Sequence, residues 1–274
     1  ADIFFGYKLG YDLCRKAKKL KWVHISLAGV NHTMHECLMD PSILVTSSKG
    51  LHPPYISEHI ISGLLYFCSG FDKAVKLQHE KKWDKDAVLG GQCLLSGKKI
   101  LILGLGHIGM YTALKLNALG ADVSGIRRNV AEPETEGVHV YAMSSLYELI
   151  GDMDAVVDIL PLTPETTGIL GKKFFSSMKK GSIFINVGRG QHVAEDEMIA
   201  NCSHLRGLLL DATAEEPVPP SSPLWDMDNV LLTQHTSGDS PEYLRLTAEF
   251  FMKNLALYLQ GKETDAKVDK TAGY

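Results

Sequence analysis

Short apolar runs alternate with amphipathic stretches through most of this chain. Residues 99–103, 121–126, 138–141, 154–160, 182–187, 208–210 and 229–232 are the runs. They are nearly continuous in apolar side chains, as strands buried on both faces must be. The stretches between them carry apolar residues at helical spacing. Strand and helix in alternation predict an open, mostly parallel, doubly wound α/β sheet. Upstream, residues 3–5, 22–27 and 43–46 read as three more short strands, with a helix over 12–19 between the first two. Pro53-Pro54 opens a helical pattern over 56–67, and a second helix, polar on one face, is predicted over 71–83. Ser240-Pro241 reads as a cap followed by proline at the first helical position, starting a last helix that runs to about Gln260.

Where the run 99–103 ends, the chain reads Gly104-Leu105-Gly106-His107-Ile108-Gly109, and a helical pattern follows from Met110. Strand, glycine turn and helix in that order form a dinucleotide fingerprint. Gly104 permits the tight turn, Gly106 lets backbone N–H groups approach a pyrophosphate, and Gly109 lets helix pack on strand. The helix amino end then faces the phosphates. His107 and Ile108 lie inside the same loop. His107 is a candidate cofactor contact at the phosphates, with a tolerated variable position as the other, preferred reading. A glycine turn with a purely structural role is the competing reading of the hexapeptide.

The residue after the next strand selects the dinucleotide. An acidic side chain there would accept from a ribose 2′-OH. This chain has Arg127-Arg128-Asn129 instead. A guanidinium grips a 2′-phosphate in bidentate fashion, whereas a carboxylate repels it. NADP(H) is therefore expected in preference to NAD(H). A solvated basic loop is the alternative.

Composition narrows the partners. The chain has 274 residues, 45% hydrophobic and 22% charged, with a formal net charge of −4. That balance gives no reason to expect nucleic-acid or membrane partners, and no apolar run is long enough to span a bilayer. Cys14, Cys37, Cys68, Cys93 and Cys202 show no CxxC spacing, so reduced, mostly structural thiols and a cytoplasmic location are expected. His24, His32, His35, His52 and His59 have no metal-ligand spacing and no accompanying cysteine cluster, so no metal site is expected.

Ligands of an open parallel sheet gather beyond the carboxyl ends of its strands. Arg189, Glu216 and His235 each follow such an end. Singly, each also fits an ordinary polar loop residue. Together they form a coherent set: an Arg holds a carboxylate or polarises a carbonyl, a His moves a proton near neutral pH, and a Glu beside the His orients it.

The segments carrying these residues resemble the D-isomer-specific 2-hydroxyacid dehydrogenases, in particular the glyoxylate/hydroxypyruvate reductase-like branch. The resemblance rests on residues 161–168 (Pro-Leu-Thr-Pro-Glu-Thr-Thr-Gly), Asn186-Val187-Gly188-Arg189-Gly190, residues 211–217 (Asp-Ala-Thr-Ala-Glu-Glu-Pro), residues 233–238 (Thr-Gln-His-Thr-Ser-Gly) and the C-terminal 268–274. It implies hydride transfer between nicotinamide C4 and the substrate's C2. His235 would exchange a proton with the carbonyl oxygen, Glu216 would pair with His235, and Arg189 would bind the substrate carboxylate and carbonyl oxygen. Asp211 would face the nicotinamide carboxamide, and Pro161, Val187 and Gly238 would line the cofactor. Ala28, Gly29 and Val30 would offer backbone N–H groups to the substrate carboxylate; an ordinary glycine turn is the other reading of that loop.

The resemblance further implies a Rossmann doubly wound domain over 52–239 and a smaller flavodoxin-like substrate domain over 1–51 and 240–274, with closure between the two on binding and a homodimer. The helix over 56–67 fits either the dimer interface or core packing. The smaller domain is expected to lack its first two strands, leaving residues 3–5 as an unpaired apolar edge. The preferred function is an NADP(H)-dependent reductase of a small 2-keto acid. The alternatives are an NAD-dependent D-2-hydroxyacid dehydrogenase, such as a phosphoglycerate dehydrogenase, and a non-catalytic dinucleotide-sensing corepressor-like protein.

Overall fold

A computed structural model describes residues 1–27, 29–30, 33–130 and 132–270. The chain divides into two compact units, Ala1–His52 with Asp239–Tyr274, and Pro53–Gly238. In chain order the first unit opens with β1 (Ile3–Gly6), α1 (Tyr11–Lys16), β2 (Trp22–Ile25) and β3 (Leu44–Ser47). The second holds α2 (Pro53–Cys68), α3 (Phe71–His79), α4 (Lys85–Leu89), β4 (Lys99–Leu103), α5 (His107–Ala118), β5 (Asp122–Ile126), β6 (Glu134–Thr135) and β7 (Val138–Tyr141). It continues with α6 (Leu146–Leu149), β8 (Ala155–Asp158), α7 (Lys172–Ser177), β9 (Ile183–Asn186), α8 (Glu195–Asn201), β10 (Gly207–Leu210) and β11 (Val230–Leu232). The long α9 (Tyr243–Leu259) belongs to the first unit.

The second unit is built on an eight-stranded sheet ordered β11-β10-β9-β8-β4-β5-β7-β6. Every pair is parallel except the β6–β7 edge. Side chains of successive residues point to opposite faces, so each central strand feeds two cores. Ile100, Ile102, Val157, Ile185 and Leu209 pack with Ile60 and Leu64 of α2 and Ala113 and Leu116 of α5. Leu101, Leu103, Val156, Phe184 and Leu210 pack on the other face with Leu146, Phe174, Phe175 and Met198. The apolar face of α2 is thus spent on the sheet and α5, which is the core-packing use of that helix. Order reverses at β4, between β5 and β8, and this is where a doubly wound sheet opens a crevice.

The first unit has a three-stranded parallel sheet, β1-β2-β3. The exposed Phe5 on the β1 edge stacks on Phe251 of α9, and Trp22 stacks on Tyr258. The chain after α9 runs along the free edge of β3, where Ser47 N–H donates to Ala266 O and Val268 N–H to Val45 O. No helix among the described residues is long and apolar enough to cross a membrane.

Several boundaries differ from the sequence pattern. The 12–19 helix stops at Lys16. The 71–83 helix stops at His79, because beyond it Lys81 takes a positive φ and Trp83 is fully exposed, so no apolar face continues. The last helix starts at Tyr243, since Ser240 and Pro241 form a turn in which Tyr243 N–H donates to Ser240 O. The short β6 carried no apolar signal, because an edge strand of two residues buries little.

Cys14 and Cys37 are disulfide-bonded, with Cα atoms 6.4 Å apart. This corrects the expectation of reduced thiols at these two positions. It also corrects the reading that no cysteine cluster accompanies the histidines: Cys14, His35 and Cys37 bring their ligand atoms within 4.8 Å of one another, although the sulfurs are bonded to each other. Packing of α1 against the short helical turn Glu36–Met39 creates this cluster, and residue spacing alone does not announce it.

His24 of β2 is fully buried among rings, with Nδ1 2.7 Å from Thr46 Oγ1 and Nε2 3.2 Å from Ser48 Oγ. Burial pushes its pKa down to about 4 from the ordinary 6.5. A neutral buried imidazole stabilises the fold fully above the unfolded value, and this contribution is lost as pH falls through the folded one. Urea titrations are expected to show about 2 kcal/mol less stability at pH 4.5 than at pH 7, with a flatter dependence in His24→Gln.

Candidate active site

The glycine turn sits at the switch point. Gly104 has φ +104°, and a Cβ there would lie 2.6 Å from Ile159 O, so the turn after β4 presses on the chain leaving β8. A Cβ at Gly109 would lie 2.3 Å from Gly104 O, which is how closely α5 packs on the turn. At Gly106 the space is open, and no side chain caps the amino end of α5. Open backbone N–H groups at the positive end of a helix suit a pyrophosphate. His107 is exposed as the first residue of α5, whereas Ile108 is half-buried and packs against the core.

Arg127 follows β5. Its backbone N–H donates to Tyr141 O, while its Nε is buried with no hydrogen-bond partner among the described residues. An orphaned guanidinium N–H beside the glycine turn fits an anionic ligand. Arg128 is exposed. The exposed Pro161 starts the loop after β8, accepting from Thr166 Oγ1 at 2.8 Å.

The polar candidates lie beyond β9, β10 and β11. His235 Nδ1 stands 3.0 and 2.9 Å from the two carboxylate oxygens of Glu216. Glu216 Oε1 also accepts from Thr213 N–H at 3.1 Å, which fixes the carboxylate on its own loop. His235 has φ +54°, a left-handed conformation that a residue with a Cβ holds only under constraint.

The constraint is Asp211, at the end of β10 and 2% exposed. Its Oδ1 accepts from Thr233 Oγ1 at 2.6 Å and from Thr236 N–H at 2.9 Å, and its Oδ2 from Ser237 N–H at 3.0 Å. These donors bracket His235 on both sides. His59 Nε2 from α2 lies 3.2 Å from Thr233 Oγ1. Gly238 closes the segment, half-buried, at the end of the unit.

Arg189 is exposed on the turn after β9, where the buried Val187 N–H donates to Asp158 O. Its Nη1 donates to Gly188 O at 2.7 Å. Among the described residues it makes no hydrogen bond or ion pair with Glu216 or His235. Its turn nevertheless abuts theirs: a Cβ at Gly190 would lie 1.8 Å from Thr213 O, and Asn186 Nδ2 donates to Ala212 O at 3.0 Å. The structure therefore joins Glu216 to His235 directly and Arg189 to Glu216 through packed backbone.

Gly29 and Val30 lie in the other unit. Val30 is fully buried in that unit's core and only Gly29 is exposed. Ala28 and the end of the C-terminal motif, 271–274, lie outside the described residues. The roles of Thr233, Thr236, Ser237 and His59 were not read from the sequence, because hydroxyls and amides in loops carry no spacing signal. Asp158 had one: a carboxylate inside an apolar strand.

The family description "D-isomer specific 2-hydroxyacid dehydrogenase, NAD binding domain" matches residues 61–237. The chain belongs to the D-isomer specific 2-hydroxyacid dehydrogenases. It is accordingly an NAD(P)-dependent oxidoreductase acting on 2-hydroxy acids or the corresponding 2-keto acids. A solved structure of an NADPH-dependent glyoxylate/hydroxypyruvate reductase from Sinorhizobium meliloti, in complex with NADP and sulfate, is 28% identical and has a TM-score of 0.85, covering 100% of this chain and 86% of that one. Glyoxylate/hydroxypyruvate reductase A of Citrobacter koseri is 26% identical over 94% of this chain and 83% of its own length. The D-3-phosphoglycerate dehydrogenase of Methanocaldococcus jannaschii is also 26% identical, over 94% of this chain and 49% of its length.

Burial alone would push the Asp211 carboxyl up, but the hydrogen bonds from Ser237, Thr233 and Thr236 outweigh it and hold it below the ordinary 3.8. A depressed folded value means that Asp211 stabilises the fold fully above the unfolded value, and that this is lost as pH falls through the folded one. Asp211→Asn sets an amide N–H against backbone donors and is expected to cost about 2 kcal/mol at pH 7 in urea unfolding. The gap from the parent should close as the pH is taken below 3.8.

Proposed function

We propose that the protein is an NADPH-dependent reductase of small 2-keto acids of the glyoxylate and hydroxypyruvate class. The observation that carries this reading is the His235–Glu216 pair, 2.9 Å apart, with His235 on the loop that Asp211 clamps and the Arg189 turn packed against the loop of Glu216. The 53–238 unit acts as the dinucleotide-binding domain and the remainder as the substrate domain. Gly104, Gly106, Ile108 and Gly109 would hold the pyrophosphate through backbone groups, and Pro161, Val187, Asp211 and Gly238 would line the nicotinamide side. When bound, NADPH supplies a hydride to the keto carbon.

The chain's own residues supply the rest. Glu216 occupies His235 Nδ1, so Nε2 is the nitrogen left to give its proton to the keto oxygen as the hydride arrives at carbon. The carboxylate of Glu216 offsets the imidazolium charge before transfer. Arg189 pairs with the substrate carboxylate and with the developing oxyanion. The preference for NADPH is supported by the orphaned Arg127 Nε, with Arg128 beside it in sequence. A homodimer and a cytoplasmic location complete the proposal. The free thiols of Cys68, Cys93 and Cys202 support that location, and the Cys14–Cys37 bond stands against it. Light scattering and cell fractionation test these two points.

Absorbance at 340 nm with NADPH and a panel of 2-keto acids tests the activity, and absence of turnover with every acid would favour the sensor reading. His235→Ala is expected to lower kcat by about 100-fold or more while NADPH binding stays within about twofold. Arg189→Lys should lower kcat/KM for the keto acid by about tenfold or more, because an ammonium cannot reproduce the bidentate fork. Arg127→Ala should raise the KM for NADPH about tenfold and leave that for NADH nearly unchanged; a parent enzyme that prefers NADH would overturn the cofactor assignment.

A further inference from the structure

The turn that presents Arg189 rests on a buried pair outside the reacting groups. Asp158 ends β8, His192 ends the short helical turn Gly190–His192, and both side chains have no solvent exposure. His192 Nδ1 lies 2.7 Å from Asp158 Oδ2, and Leu160 N–H donates to Asp158 Oδ1 at 3.0 Å. His192 Nε2 is buried and has no hydrogen-bond partner among the described residues. A proton on Nε2 would therefore be buried without an acceptor, which places the ring proton on Nδ1, facing the carboxylate.

This pair fills the space beneath Gly188 and Arg189. A Cβ at Gly188 would lie 3.1 Å from both Asp158 Oδ2 and His192 Nδ1. Arg189 O accepts from His192 N–H at 3.1 Å and from Asn186 Nδ2 at 3.3 Å. The backbone carbonyl of Arg189 is thus held from below by two donors, one of them the backbone of His192.

We propose that the buried Asp158–His192 pair positions Arg189, holding the turn from which the guanidinium meets the carboxylate of a 2-keto acid. The proposal rests on the assignment of Arg189 as the substrate anchor. Asp158 and His192 touch neither substrate nor cofactor in this account, so they are positioning residues. An apolar strand has no packing need for a carboxylate, and burying one is costly unless it is hydrogen-bonded. Here the carboxylate ties β8 to the turn after β9 across 34 residues of sequence.

The test uses the full chain loaded with NADPH and oxalate as a planar carboxylate probe, with glyoxylate turnover read in parallel. His192→Leu removes the donor at similar bulk. It is expected to weaken oxalate binding and raise the glyoxylate KM about tenfold, with kcat within about threefold and NADPH affinity within about twofold. His192→Asn places an amide N–H near the position of Nδ1 and should restore both values to within about threefold of the parent. Asp158→Asn, which keeps the acceptor for Leu160, should weaken oxalate like His192→Leu and decides the matter if the leucine variant does not fold.

A folded His192→Leu or Asp158→Asn protein with parental oxalate affinity would overturn the proposal, as would equal losses of oxalate and NADPH affinity. Arg189→Met is the control: if it binds oxalate as the parent does, Arg189 is not the anchor and the proposal falls with it. A parent that binds oxalate through Arg189 yet reduces no keto acid would sink the reductase reading and leave the positioning role standing.

Discussion

A parallel sheet buried on both faces leaves its strands no room for polar side chains except at their ends. Every other feature of the 53–238 unit follows from that constraint. Ile100 to Leu103, Ala155 to Val157 and Ile183 to Ile185 are committed to two cores, so chemistry can begin only where a strand stops. Asp158, Asn186 and Asp211 stand at three such stops, and each carries hydrogen bonds that shape the loop beside it. Carboxylates and an amide at neighbouring strand ends thus convert a hydrophobic sheet into a platform of fixed loops.

Those loops are held by close contact as much as by polar bonds. Gly104, Gly109 and Gly190 lie where a Cβ would meet a backbone carbonyl within 2.6 Å. At these positions the backbone itself is the packing surface, which any side chain would push apart. The polar bonds then select the conformation. His235 occupies a left-handed conformation because Asp211 binds the residues on either side of it. Strain of this kind persists only where the surroundings over-determine it, and here it aims an imidazole whose Nδ1 is already engaged by Glu216.

Much of this was legible in the chain itself. The glycine turn, the run of buried strands and the strand-end places of Arg189, Glu216 and His235 are all local patterns: a hexapeptide between strand and helix, a continuous apolar run, a polar residue just past a strand end. Boundaries were less legible. The last helix begins three residues after Ser240, because Ser240 and Pro241 were drawn into a turn by the Tyr243 N–H bond. The Cys14–Cys37 bond was misread for a related reason. Cysteine spacing says nothing about α1 and the 36–39 turn packing together, and only that packing brings the sulfurs into range.

The sequence by itself determined the class of fold, the location of the glycine turn after β4 and the polar residue types standing just past the strand ends, because periodicity and strand-end chemistry are properties of short segments. The tertiary structure alone decided which side chains meet. Glu216 reaches His235, Asp211 brackets it, and His192 pairs with Asp158 only after β8, β9, β10 and β11 align side by side. The physical reason is that hydrogen bonds of about 3 Å are specified by strand register and loop packing across tens of residues, and no local pattern encodes a distance between segments that far apart.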